Sequence, residues 1–175
     1  MAYDKITISG RICTGKTTLA KNLEKKLNWK FFSTGKFFRD YAKKHKLDLD
    51  SAQEQSEIIT KKIDNKVHKL LLTKNNIIVD SWMAGIMAQD IKTVLKVLLI
   101  CNDKTRYERF SFREKTTINE AKTRIKNRES NLFSILSKIY KRKDFTNKKN
   151  FDLIVDTTTK TSDKILRLVL NKIRS

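Results

Sequence analysis

Apolar residues recur along the first quarter of the chain in two spacings, one typical of strands and one typical of helices. Lys5–Gly10 alternates apolar and polar positions as a β-strand does, and from Thr17 onward leucines repeat every four residues, as on one face of a helix. Residues 29–33 form a short apolar segment that predicts a second strand. A polar helix ending near Lys46 is expected after it, so this part of the chain predicts strand, loop, helix, strand and helix.

The rest of the chain alternates in the same way. Ser51 and Glu54 form a capping box, which predicts the start of a helix that runs to about Thr73. Three unbroken apolar runs are typical of parallel strands covered on both faces: residues 76–80, 94–101 and 151–155. An amphipathic helix over residues 165–173 closes the pattern. Strands separated by helices predict a parallel α/β sheet with right-handed crossovers.

A strongly basic insert separates the last two predicted strands. Residues 103–150 carry 15 basic and 6 acidic side chains. Thr117 and Glu120 form a second capping box within it, so we expect the insert to be helical. The whole chain has a formal net charge of +20, which favours a polyanionic partner such as RNA or a ribosomal particle. Lysines outnumber arginines 29 to 10, however, so a coding bias toward lysine is an equally good explanation.

Length and composition exclude several classes of protein. The 175 residues suit one domain, and no run of 18 apolar residues predicts a membrane span. The first ten residues lack the pattern of a secretory signal. Two cysteines, Cys13 and Cys101, are too few for a disulfide framework and are expected to be reduced thiols. We therefore expect a cytoplasmic, monomeric protein of a single domain.

The motif with the clearest chemistry is the phosphate-loop pattern at Gly10–Thr17, which lies between a predicted strand and a predicted helix. Backbone N–H groups of such a loop surround nucleotide phosphates, the Lys16 ammonium neutralises the β- and γ-phosphates, and Thr17 offers a hydroxyl to Mg²⁺. Asp80 ends a predicted neighbouring strand and is expected to complete the metal site. The residues expected to bind ATP here are Gly10, Arg11, Ile12, Cys13, Thr14, Gly15, Lys16, Thr17 and Thr18.

Arginine, which is scarce elsewhere, is concentrated in the insert. Five of the ten arginines fall within 23 residues: Arg106, Arg109, Arg113, Arg124 and Arg128. The first three share one helical face, and guanidinium groups suit bidentate contact with phosphate oxygens. We expect Arg109, Arg113 and Arg128 to act in catalysis. The alternative is a solvated helix face on which Glu108, Glu114 and Glu129 are the partners of these arginines.

Five segments together resemble the archaeal-type cytidylate kinases, a group of small nucleoside monophosphate kinases: ITISG…GKTTLAKNLEKKL, FFSTGKFFRDYAKKHKLDL, IIVDS, RYERFSFREKTTINEAKTRIKNRES and FDLIVDT. The resemblance implies a three-layer P-loop NTPase fold of the adenylate-kinase-like type, built on a five-stranded parallel sheet. The core would comprise residues 1–102 and 151–175, with acceptor-binding helices at about 35–73 and a helical lid at about 103–150. The implied reaction is transfer of the ATP γ-phosphoryl group to CMP or dCMP.

The resemblance also implies roles for individual residues. Arg39, one helical turn beyond the Thr34-Gly35 pair, is a candidate for holding a second, acceptor phosphate, and the resemblance extends the acceptor site to a set of five residues: Ser33, Thr34, Gly35, Arg39 and Trp82. Asp156 and Thr157 would border the ATP base.

The chain departs from the family pattern at three places. In the phosphate loop, Arg11 and Ile12 stand where the family has small residues or proline. Trp82 stands where the family has an arginine, and the apolar stretch 132–136 replaces a further lid arginine. These departures leave two alternatives open beside the nucleoside monophosphate kinase. One is a kinase-derived ATP-binding protein that binds RNA or a ribosomal particle, and the other is a kinase acting on a small non-nucleotide alcohol.

Overall fold

The computed structural model describes residues 3–47 and 56–174, which form a five-stranded parallel sheet covered by helices. The strands are β1 (Lys5–Gly10), β2 (Lys30–Ser33), β3 (Ile77–Asp80), β4 (Val94–Ile100) and β5 (Leu153–Asp156). Their order in the sheet is β2-β3-β1-β4-β5. Every pairing is parallel, which places the carboxyl ends of β1, β2 and β3 at one edge of the sheet. The predicted α/β class and five-stranded sheet are confirmed.

The α-helices of the described residues are α1 (Lys16–Leu27), α2 (Thr34–His45), α3 (Glu57–Thr73), α4 (Ala84–Met87), α5 (Asp103–Glu114), α6 (Ile118–Tyr140) and α7 (Ser162–Arg174), and a short 3₁₀ helix covers Lys148–Asn150. Side chains alternate between the two faces of each strand. In β1, Ile6 and Ile8 pack against α1 and α7 on one face of the sheet. Ile77 and Val79 of β3 pack against α3 and α4 on the other. Two helical layers therefore enclose the sheet.

The predicted helical insert is confirmed as α5 and α6, which pack together around Phe110, Ala121 and Ile125. The Thr117–Glu120 capping box is present at the start of α6. The second half of α6 reaches the neighbourhood of α4, where Leu136 joins a buried cluster with Met83 and other apolar residues. α6 therefore connects the neighbourhood of the phosphate loop with the α3–α4 face.

Two features differ from the sequence expectation or lie beyond it. The predicted capping box at Ser51 and Glu54 lies outside the described residues, and the described part of α3 begins at Glu57, where the Ser56 hydroxyl accepts from the backbone N–H of Ile59. The short helix α4 had no sequence signal, because four residues are too few to show a helical period. Within the described ranges, no helix is long and apolar enough to span a membrane.

Candidate active site

The phosphate loop turns sharply between β1 and α1, and two glycines allow it to do so. Gly10 has a φ of +148°, and a Cβ atom built there would stand 2.4 Å from the carbonyl oxygen of Leu99. Gly15 has a φ of +93°, which side-chain-bearing residues rarely adopt. The Lys16 ammonium donates to the carbonyl oxygen of Arg11 at 2.9 Å. Burial lowers the pKa of Lys16, and the nearby Asp80 carboxylate opposes that shift.

A buried carboxylate lies beside the loop where β2 and β3 end. Asp80 Oδ2 accepts hydrogen bonds from Thr17 Oγ1 at 2.7 Å and from Ser33 Oγ at 3.0 Å. Ser33 and Asp80 are paired in the β2–β3 register, so the parallel sheet itself brings them together. Hydroxyl and carboxylate oxygens are the hard donors that Mg²⁺ prefers, and Thr17 and Asp80 are the residues that would hold it. The donor set therefore fits the predicted metal.

A cavity of about 490 Å³ opens between the loop, α2, α3 and the insert. Many of the predicted site residues line it: Ile12, Cys13, Thr14, Gly15, Lys16, Thr17, Thr18, Thr34, Gly35, Arg39, Asp80, Trp82, Arg109, Arg113, Arg128 and Thr157. Cys13 sits in the loop with a φ of +61°, and burial raises the pKa of its thiol, which is consistent with a packing role and not with a nucleophile.

Four predicted site residues do not line this cavity. Gly10 lies beneath the loop, and Ser33 faces Asp80. Arg11 turns its guanidinium away from the loop, donating to Glu129 at 2.5 Å and to Asp103 at 3.3 Å. The Asp156 carboxylate accepts from the backbone N–H of Thr158 at 2.9 Å, which closes a turn. Any contribution of Arg11 to phosphate binding therefore comes from its backbone.

Three arginines of the insert surround the ring of one buried phenylalanine, and two of them, Arg113 and Arg128, also line the cavity. The guanidinium carbons of Arg113, Arg124 and Arg128 lie 5.2, 5.2 and 5.4 Å from the ring centre of the buried Phe110. Such cation–π contacts hold the guanidinium groups close to one another despite their like charge. Burial and the nearby Arg113 both lower the pKa of Arg39, on the α2 side of the cavity. Arg39, Arg113 and Arg128 therefore bring positive charge to the cavity, and Arg113 also donates to Glu114 at 2.8 Å.

Arg109 connects two loops at the edge of the site. Its guanidinium donates to the carbonyl oxygen of Thr157 at 2.6 Å and to Thr157 Oγ1 at 3.2 Å. Thr157 Oγ1 in turn donates to the carbonyl oxygen of Thr14 at 3.0 Å. The insert, the β5–α7 loop and the phosphate loop are thereby tied together.

The expectation that Arg106 shares a phosphate-binding face with its neighbours on α5 is wrong. Arg106 is fully buried and donates to Glu129, to Asp103 at 2.6 Å and to the carbonyl oxygen of Ile12 at 2.8 Å. Glu129, which the alternative placed on a solvated face, is also buried, and it accepts from the backbone N–H of Ile12 at 2.9 Å. The physical reason is that the first turn of α5 packs onto the phosphate loop, which leaves no room there for a phosphate.

Two polar residues of the cavity wall were missed by the sequence reasoning. Thr60 and Asp64 lie one turn apart on α3, and both are buried and line the cavity. Tyr140 Oη, at the end of α6, donates to Asp64 Oδ2 at 2.7 Å. One Asp and one Thr among the polar and apolar residues of a helix give no local sequence signal. The role of Asp64 becomes visible only through its contact with Tyr140, 76 positions away.

The parallel sheet, the phosphate loop at the end of β1 and the Thr17–Asp80 pair define a P-loop phosphotransferase. A family model described as AAA domain, a P-loop NTPase family, matches residues 6–133. A cytidylate kinase from Saccharolobus islandicus is 32% identical over 173 residues, which cover 97% of this chain and 90% of the relative. The chain belongs to this cytidylate kinase family within the P-loop NTPases.

Solved structures show the same fold at low sequence identity. An uncharacterized protein from Eubacterium ventriosum has a TM-score of 0.73 at 16% identity, covering 98% of both chains. A shikimate kinase from Bacteroides thetaiotaomicron has a TM-score of 0.63 at 14% identity, again covering 98% of both chains. These likenesses support the three-layer P-loop kinase architecture.

Proposed function

We propose that the protein transfers the γ-phosphoryl group of ATP to a cytidine monophosphate, CMP or dCMP, with Mg²⁺ as cofactor. The observation that carries this proposal is the convergence of Lys16, Arg39, Arg113 and Arg128 on one cavity beside the Thr17–Asp80 pair. The phosphate loop and Lys16 are sufficient to bind the triphosphate of ATP. The further arginines on α2, α5 and α6 suit a second phosphate group brought by an acceptor.

The ATP side of the site is built on the phosphate loop. Backbone N–H groups of the loop bind the phosphates, and the Lys16 ammonium neutralises charge on the β- and γ-phosphates. Mg²⁺, when bound with ATP by Thr17 and Asp80, would neutralise further charge and orient the phosphates. Arg109 and Thr157 fix the loop that borders the nucleotide base.

The acceptor side follows from charge and topology. Arg39 extends from α2, which begins at Thr34 directly after β2, so it lies across the cavity from the insert. An oxygen of the acceptor phosphate would attack the γ-phosphorus, and the bond to the β–γ bridging oxygen would break to leave ADP. The attacking oxygen is ionised at neutral pH, so no general base is required. Arg113 and Arg128 would stabilise the charge on the transferring group.

The features that favoured an RNA-binding protein have another explanation in this structure. Trp82, Leu132 and Leu136 pack in one cluster and line the cavity, so they belong to the site and not to an outer surface. The relatives named cytidylate kinase support the choice of base. The acceptor proposed is therefore a pyrimidine monophosphate and not a macromolecule.

The test is a coupled assay of ADP release with MgATP and each of CMP, dCMP, UMP, AMP and GMP, with shikimate as a non-nucleotide acceptor. We expect CMP or dCMP to give the highest kcat/KM. Lys16→Ala should abolish turnover, whereas Lys21→Ala, on an exposed position of α1, should leave it unchanged. ADP release that no monophosphate raises above the background hydrolysis of ATP would overturn the proposal.

A further inference from the structure

The phosphate loop is tied to the insert by charged side chains to which the proposed reaction gives no role. Arg11 donates to Glu129 Oε2 through Nε at 2.9 Å and through Nη2 at 2.5 Å. The other carboxylate oxygen, Glu129 Oε1, accepts from the backbone N–H of Ile12 at 2.9 Å and from the guanidinium group of Arg106. Donors from the loop and from α5 therefore occupy both oxygens of one residue of α6.

The carboxylate at the centre of this group lies inside the protein. Glu129 is 7% exposed and Arg106 is fully buried, whereas the side chain of Arg11 is 45% exposed. A buried carboxylate is tolerated when its charge is paired and its oxygens are hydrogen-bonded, and here two guanidinium groups share the charge. Because both oxygens are held, the turn of α6 at Glu129 is fixed in distance and rotation relative to the loop.

Arg11 and Ile12 are the two loop positions at which the chain departs from the family pattern. A small residue in place of Arg11 has no guanidinium group, and a proline in place of Ile12 has no N–H to donate. The side chain of Arg11 is not among those that line the cavity, so it does not serve ATP by direct contact. Its partner Glu129 directly follows Arg128, which lines the cavity. Glu129 therefore joins the loop that binds ATP to the helical turn that carries Arg128.

We propose that Arg11 is a positioning residue for Arg128. By holding Glu129, Arg11 sets the place of this turn of α6 relative to the phosphate loop, so that the Arg128 guanidinium group meets the transferring phosphoryl group. This inference rests on the proposed function and adds to it a residue that acts through another one. A misplacement of about 1 Å at a catalytic group can slow a reaction by roughly 100-fold, so a contact that only orients a helix has a measurable effect on kcat.

The experiment is a double-mutant cycle of Arg11→Ala and Arg128→Ala, with Arg11→Lys as the conservative variant. Arg167→Ala, at an exposed arginine of α7, is the control and should keep native kinetics. The kcat and KM values are measured with MgATP and CMP, and the Kd for ATP is measured by calorimetry without an acceptor.

We expect Arg11→Ala to lower kcat by about tenfold while the Kd for ATP changes by less than about twofold, since the loop backbone that binds the phosphates is intact. In the Arg128→Ala background the same substitution should change kcat by less than about twofold, because the group that Arg11 positions is already absent. Arg11→Lys keeps the charge beside Glu129 but not the paired donors, so it should lower kcat by only about threefold.

Two kinds of result would overturn the positioning role and leave the kinase assignment standing. One is an equal fall in kcat with and without Arg128, since Arg11 would then act independently of it. The other is an unchanged kcat in Arg11→Ala, or a Kd for ATP that rises as much as kcat falls, since Arg11 would then be dispensable or would serve the loop alone. Absence of turnover by the native protein with every monophosphate would overturn the proposed function and this inference together. Should Arg11→Ala not fold, the same cycle made with Arg11→Lys decides.

Discussion

Asp64 links the stability of the fold to pH, and the direction of the effect can be worked out from its surroundings. Burial raises the pKa of this carboxyl group from 3.8 to about 6 in the folded protein. The folded state therefore keeps a proton that the unfolded chain releases between about pH 4 and pH 6. The contribution of Asp64 to the free energy of unfolding is most favourable below pH 4 and falls as the pH rises to about 6. Above pH 6 it stays constant at its lowest value.

The size of this effect follows from the difference between the two pKa values. Each pKa unit corresponds to about 1.4 kcal/mol, so ionised Asp64 destabilises the folded protein at neutral pH by about 3 kcal/mol relative to its protonated form. Asp64→Asn replaces the carboxyl group with a neutral amide of nearly the same shape, whose oxygen can still accept from Tyr140. We expect this substitution to raise the free energy of unfolding at pH 7.5, with a gain about 2 kcal/mol larger than the gain at pH 4.

Urea unfolding followed by circular dichroism at both pH values measures these free energies. Asp90→Asn, at an exposed position, should change them by less than about 0.5 kcal/mol and equally at the two pH values. A gain for Asp64→Asn that does not depend on pH, or a loss of stability at pH 7.5, would refute the reasoning.

Three further predictions concern other parts of the site. Arg113→Ala and Arg128→Ala should each lower kcat by a factor of about ten or more with a modest change in ATP affinity, since the two guanidinium groups act mainly on the transferring phosphoryl group. An unchanged kcat in both variants would show that neither arginine has a catalytic role. Glu129→Gln removes the buried one of the two carboxylates that pair with Arg106 and leaves the half-exposed Asp103. This should lower the free energy of unfolding by about 3 kcal/mol and Tm by about 10 °C in thermal unfolding, and an unchanged Tm would contradict the ion pair. Trp82→Ala should raise the acceptor KM about tenfold with the ATP KM unchanged, whereas Trp82→Phe should keep both near native values; equal effects on the two KM values would argue against a base contact.

The parts of the site that the sequence predicts are those that local pattern or sheet topology determines. Gly10–Thr17 needs only the strand before it and the helix after it, and both are visible as periodic patterns. Asp80 could be predicted because parallel strands end at one edge of the sheet, and its contact with Thr17 follows from that rule. Both predictions require only that the ends of the strands be located approximately.

The remaining parts depend on contacts that no periodicity encodes. Arg106 and Arg113 lie on the same face of α5. Arg106 is nevertheless buried against the phosphate loop, whereas Arg113 lines the cavity. The difference comes from their positions along the helix, because Arg106 lies in the first turn of α5, which packs onto the phosphate loop, and Arg113 lies in its last turn. The sequence named Glu129 as an arginine partner but not its burial, and it missed Asp64, because each depends on a contact with a distant element.

Two of the departures from the family pattern, Trp82 and the stretch 132–136, have a common structural explanation. Trp82 and the stretch 132–136 are separated by 50 residues in the sequence, but Trp82, Leu132 and Leu136 belong to one apolar cluster beside the cavity. At both places this chain puts an apolar side chain into the cavity wall where the family has an arginine. Positive charge for the phosphates comes instead from α2, α5 and the first half of α6. This division favours an acceptor site with two sides. Arginines on one side bind the charged phosphate, and an apolar wall with a buried carboxyl group on the other side contacts the flat, largely apolar base.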